Sequence, residues 1–163
     1  MAANTRFAVA VHAMGMLAFG EELNVTSDDI AKSVGTNPVV VRRLLSQLTR
    51  RGLVAVKQGA GGGARLARPP QKITLADIYL SLDEGPLFQV PLLGGGHECA
   101  VGRNVGPVLT GVLHTAEKGL IAELQKVTLT DVIGQVSRRV KREGCAPKEG
   151  QAAAGRRRKR SDG

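Results

Sequence analysis

The residues able to do chemistry in this chain fall into two groups. The first is a run of cations: between residues 30 and 76 stand nine Lys and Arg and no Asp or Glu, whereas a solvated surface ordinarily mixes both signs. Such a run is suited to a polyanion. Within it Arg42 and Arg43, then Arg50 and Arg51, are interleaved with Val39 and Ser46, and Arg65 and Arg68 follow. An arginine gives two parallel donors to a guanine edge, a valine suits a thymine methyl, and the later pair suits phosphates. The second group centres on Cys99, with Arg103 four residues on and His97 and Glu98 just before it. A thiol set beside a helix start and a cation is placed for oxidation chemistry, with packing under a loop as the plainer role. Three donors this close on a loop do not complete a tetrahedral metal site without a second subunit, so no metal is expected. The other histidines, His12 and His114, read as packing residues, and no P-loop or nucleophile–base–acid pattern occurs, so no enzyme is expected.

Positioning these groups requires elements, and the sequence marks them clearly. Phe7, Ala10, Val11, Met14, Leu17 and Ala18 recur at steps of three and four, predicting a first helix over residues 5–19. Thr26 and Asp29 have capping spacing for a short second helix to Val34, which Gly35 stops. Asn37 then caps a third helix with Pro38 at its first position. There Val41, Leu44, Leu45 and Leu48 take one inner face, which turns Val39, Arg43, Ser46 and Arg50 outward. Two short helices joined by Gly35-Thr36-Asn37, the second apolar inside and cationic outside, form a helix-turn-helix whose second helix enters the major groove. Thr36 and Asn37, at its mouth, join the expected contacts.

Next, Leu53 to Lys57 alternates as a strand, Gly59 to Gly63 makes a tip, and residues 65–68 return as a second strand closed by Pro69 and Pro70. This hairpin is expected to act as a wing that presses the backbone or minor groove with Arg65 and Arg68. Gly59 to Ala64 also spells the dinucleotide fingerprint G-x-G-x-x-A, but the two prolines forbid the helix that must follow. Thr74 and Asp77 open a fourth helix ending near Gly85, and Thr128 and Asp131 open a last one with Leu129, Val132, Ile133, Val136 and Val140 inward. Between them Val105, Val108, Leu109, Val112, Leu113, Ala116, Leu120 and Leu124 trace a stripe too long for one small core. An apolar patch of that length calls for a second chain.

The fold class is thus mainly α with a small β part (α+β): a winged helix-turn-helix with a long C-terminal dimerisation helix. Residues 1–71 are expected to bind DNA, 72–143 to dimerise and sense, and 144–163, rich in Ala, Gly and Arg, to form a disordered basic tail. No export signal or membrane span is read, so a cytoplasmic location is expected. The four aromatic residues lie outside the cationic block, which favours duplex DNA over base-stacking RNA recognition. A nonspecific nucleic-acid binder working through the tail is the alternative from another class.

The run TSDDIAKSVGTNPVVVRRLLSQLTRRGLVAVKQGAGGGARLARPP, continued by ITLADIYLSLDE and CAVGRNVGPVL, resembles the Rrf2 family of bacterial winged-helix regulators. The resemblance implies a homodimer on a palindromic operator, usually as a repressor, with the striped helix crossing its partner. Cluster-binding members carry three cysteines in the loop before that helix, and this chain has only Cys99 there, with Cys145 in the tail. It therefore looks like the cluster-free branch, with no cofactor. What remains is a thiol switch at Cys99, a small-molecule effector bound near the dimer interface, or no sensing by this chain.

Overall fold

Helix α1 (Ala3–Phe19) buries Val9, Ala10, Ala13, Met14 and Leu17, the one-face pattern that its spacing dictates. The computed structural model describes residues 3–20, 24–59, 61–82, 85 and 99–142; the basic tail predicted from residue 144 lies outside them.

Helix α2 (Ser27–Val34) opens on a reciprocal cap. The Asp29 N–H donates to the Thr26 hydroxyl at 3.2 Å, while the Asp29 carboxylate accepts from the Thr26 N–H at 3.0 Å and its hydroxyl at 2.6 Å. The same box starts α4 (Leu75–Ser81) at Thr74 and Asp77, and Thr128 and Asp131 repeat it at the start of α6 (Leu129–Arg142). Hydrogen bonds from the Thr26 side chain and then its backbone hold the Asp29 carboxyl below its ordinary value of 3.8. A lowered folded value means that the stabilisation is complete above pH 3.8 and is lost as pH falls through that lowered value. Asp29→Asn should therefore flatten the fall of the urea midpoint across this acid window while leaving part of it, because the Asp131 carboxyl is lowered by Thr128 in the same way. An unchanged acid slope would show that the cap adds no charge-dependent stability.

Gly35, in the left-handed conformation at φ 69°, ends α2, and the Val39 N–H donates to the Asn37 side-chain oxygen at 2.8 Å to start α3 (Pro38–Arg50). Val41, Leu44, Leu45 and Leu48 are its buried residues. Strands β1 (Val54–Lys57) and β2 (Gly63–Leu66) pair antiparallel, with Val54 opposite Leu66 and Lys57 opposite Gly63. The return strand thus lies two residues earlier than the predicted 65–68. Two contacts fix it there: the Ala64 N–H donates to the Val25 carbonyl at 2.8 Å, and Gly63 lies so close to Asn24 that an added Cβ would come within 2.8 Å.

A 3-10 turn (Pro70–Lys72) leads into α4, which ends at Ser81 rather than near Gly85. Helix α5 (Ala100–Gln125) is 26 residues long, about 39 Å at helical rise, and none of its residues is buried. A single apolar cluster collects α1, α2, α3, the wing, Ile73, Ile78, Leu82 and Leu129. In α6 only Leu129 is fully covered, and Val136, expected to point inward, is 44% exposed. Among the described residues little covers the far turns of that helix.

Candidate nucleic-acid interface

Because the apolar face of α3 is locked into the core, its remaining residues are displayed without choice. Val39, Arg42, Arg43, Ser46 and Arg50 are all exposed, as is Arg51 at the helix end. Arg43, Arg50 and Arg65 have no hydrogen-bond or ion-pair partner among the described residues. All three side chains are exposed to solvent. Val39, 48% exposed near the helix N-terminus, keeps its methyl groups in water.

Arg42, Asn37 and Arg68, all sequence-predicted contacts, are already engaged. Arg42 turns back onto the first turn of α2, where its Nε donates to the Ser27 hydroxyl at 3.2 Å and its guanidinium stands 3.7 Å from the Asp28 carboxylate. Asn37 uses its side-chain oxygen as the helix cap. Arg68 lies beyond the end of β2 and donates to the Arg51 carbonyl at 3.1 Å, so it ties the wing root to the end of α3. Thr36 is half-buried in the turn, with its N–H on the Ala31 carbonyl.

The wing adds a cation that the sequence reading left out. Opposite residues of an antiparallel pair share a face, so Val54 and Ala64, both buried, define the inner side. Arg65 and Lys57 are on the other side, both exposed. Period-two alternation with Val54 inward was enough to place Lys57 outward. At the tip the Asn24 side-chain amide donates to the Gly61 carbonyl at 2.7 Å, holding the hairpin against the strand residue Val25.

Cys99 occupies the N-cap of α5, is exposed, and its Sγ accepts from the Gly102 N–H at 3.3 Å. The packed, buried cysteine weighed above is not what the fold provides. On α5 the stripe divides. Val101, Val108 and Val112 are 72%, 63% and 59% exposed, with Leu109 and Ala116 also exposed and Val105 half-covered. Leu113, Leu120 and Leu124 are half-buried on the side where α4 packs, and the Tyr79 hydroxyl donates to Glu117 at 3.0 Å.

A helix that displays exposed arginines, preceded by a capped helix and followed by a basic hairpin, defines a winged-helix DNA-binding transcriptional regulator. A family model described as Rrf2, iron-dependent transcriptional regulator, matches residues 3–135, and the chain belongs to that family. YwnA of Bacillus subtilis (strain 168), named as an HTH-type transcriptional regulator, is 29% identical over 133 residues, covering 82% of this chain and 98% of that protein. Among solved structures, IscR of T. potens is 26% identical with a TM-score of 0.59, covering 80% of this chain and 85% of that one. CymR of B. subtilis, at 23% identity and a TM-score of 0.55, covers 80% of this chain and 94% of that one and shares the fold. These relatives are regulators rather than enzymes. No helix among the described residues is long and apolar enough to cross a membrane.

Iron held as a three-thiolate cluster does not match the cysteines present. A three-thiolate cluster needs cysteines that this chain lacks: it has two in all, and no group of three or more His, Cys, Asp or Glu able to hold a metal occurs among the described residues.

Proposed function

We propose that this regulator works in the cytoplasm as a homodimer, placing two copies of α3 in successive major grooves of a palindromic operator and repressing transcription there. The observation that carries the reading is the bare valine edge of α5. An apolar edge of three exposed valines on a 26-residue helix is costly in water unless a second copy covers it, and a twofold pairing gives the operator its symmetry. In this division residues 1–71 read DNA, 72–143 dimerise and sense, and 144–163 form a basic arm that adds salt-dependent affinity. Arg43 with Val39 and Ser46 reads bases. Arg50, Arg51, Arg65 and Lys57 hold phosphates, and Arg42, Arg68, Thr36 and Asn37 set the geometry around them.

Cys99 is the proposed sensor. Its exposure allows a peroxide to reach the sulfur; the thiolate takes one oxygen, giving the sulfenic acid and releasing hydroxide. That change alters the group that caps the Gly102 N–H and so perturbs the start of α5. The test is selection of duplex DNA by reduced protein, repeated after mild peroxide and after thiol rescue. A palindrome enriched only in the reduced state, with Cys99→Ser enriching it in both, is the expected result. Equal enrichment by wild type in both states would move sensing to a small-molecule effector, and dependence of binding on residues 146–163 without any palindrome would leave a nonspecific binder.

A further inference from the structure

Helix α4 is seven residues long and touches both the recognition helix and the dimer helix. A directional bond spans each contact. On one side the Gln47 amide of α3 donates to the Leu82 carbonyl at 2.9 Å, while Arg6 of α1 donates to the Gln47 side-chain oxygen at 2.8 Å. Leu82 is the C-cap of α4 and nearly fully buried, so this carbonyl has no helical partner and little water. On the other side Tyr79, one turn earlier, donates to Glu117 of α5 at 3.0 Å, and its ring stands edge-on to Phe7 at 5.8 Å and 82°. Apolar packing is non-directional and lets helices slide; hydrogen bonds of this length fix rotation.

We infer that Gln47 and Tyr79 are positioning residues that make α4 a strut between dimer helix and recognition helix, and thereby set the half-site spacing the protein accepts. The inference rests on the dimeric operator reading. Paired recognition helices sit about 34 Å apart on DNA, so each lies about 17 Å from the twofold axis. Over an arm of that length a rotation of about 10° moves the helix about 3 Å, close to one base-pair step of 3.4 Å. Neither residue needs to touch DNA for this effect.

The test is a selection library in which two half-sites are separated by every spacer over a range of several base pairs, applied to full-length wild type, Tyr79→Phe and Gln47→Met. Both substitutions keep side-chain bulk and remove the bond. Wild type is expected to prefer one spacer at least about tenfold over its neighbours, and each variant to reduce that preference to about threefold or less with the half-site bases unchanged. The double variant should do no more than the single ones, because the bonds act in series. An unaltered spacer preference, or a loss of binding equal at all spacers, would overturn the inference and reduce both residues to packing. Wild type enriching single half-sites only would overturn the operator reading and the strut with it.

Discussion

A Val108→Asp, Val112→Asp variant is expected to sediment as a monomer at concentrations where wild type is a dimer, and to bind a two-half-site operator at least about 100-fold more weakly. Both residues lie on the exposed edge of α5, and none of that helix is buried within its own chain. The monomer's core therefore loses no contact, and its helical content should be unchanged. In the dimer four carboxylates would enter an apolar seam without partners, which is strongly unfavourable. Coupling two half-site contacts in one dimer typically raises affinity by roughly 10²- to 10⁴-fold, so its loss sets the size of the effect. Binding to an isolated half-site should persist with the same base preference. A variant that remains dimeric would place the interface on another surface, and one that loses half-site binding would show that the edge belongs to the DNA-reading unit.

What the sequence makes legible here follows from where local rules act alone. Three Thr-x-x-Asp boxes, Gly35 and Pro38 fix helix starts and stops through bonds made within four residues, and the observed caps sit at those positions. The inner face of α3 is equally legible, because Val41, Leu44, Leu45 and Leu48 can share a side only in a helix. The wing strand slips by two residues because its register is set by Val25 and Asn24, some 40 residues away. Nothing in residues 63–68 records that contact. The same holds for side-chain direction: spacing places Arg42 and Arg43 as neighbours, yet Asp28 and Ser27 draw one of them back onto α2. Gln47 is the clearest omission. It sits at the border between the two faces of α3, where pattern assigns it to neither, and only the approach of Arg6 and the end of α4 reveals a role. The stripe on α5 was legible as apolar, but its division into a covered leucine side and a bare valine side depends on where α4 lies.

The difference between Arg42 and Arg43 leads to the second large effect, on sequence reading. Arg43→Ala should lose discrimination at one base pair of each half-site, by roughly 1 to 3 kcal/mol, with little change at other positions. Its guanidinium is exposed, without a partner among the described residues, and shares the outer face of α3 with Val39 and Ser46. Because no described residue pairs with it, binding DNA breaks no bond to them, and the bidentate contact contributes to choice of base. Arg50→Ala, seven residues further along the helix, should instead weaken every sequence alike and lower the salt dependence by about one phosphate contact. Arg42→Ala falls between these cases: its contact must be exchanged for the one with Ser27 and Asp28, and an exposed ion pair contributes at most about 1 kcal/mol. Binding measured across all single-base variants of the operator at two salt concentrations separates the three. Uniform losses for Arg43 and Arg50 alike would mean that α3 holds the backbone and that the bases are read by another element.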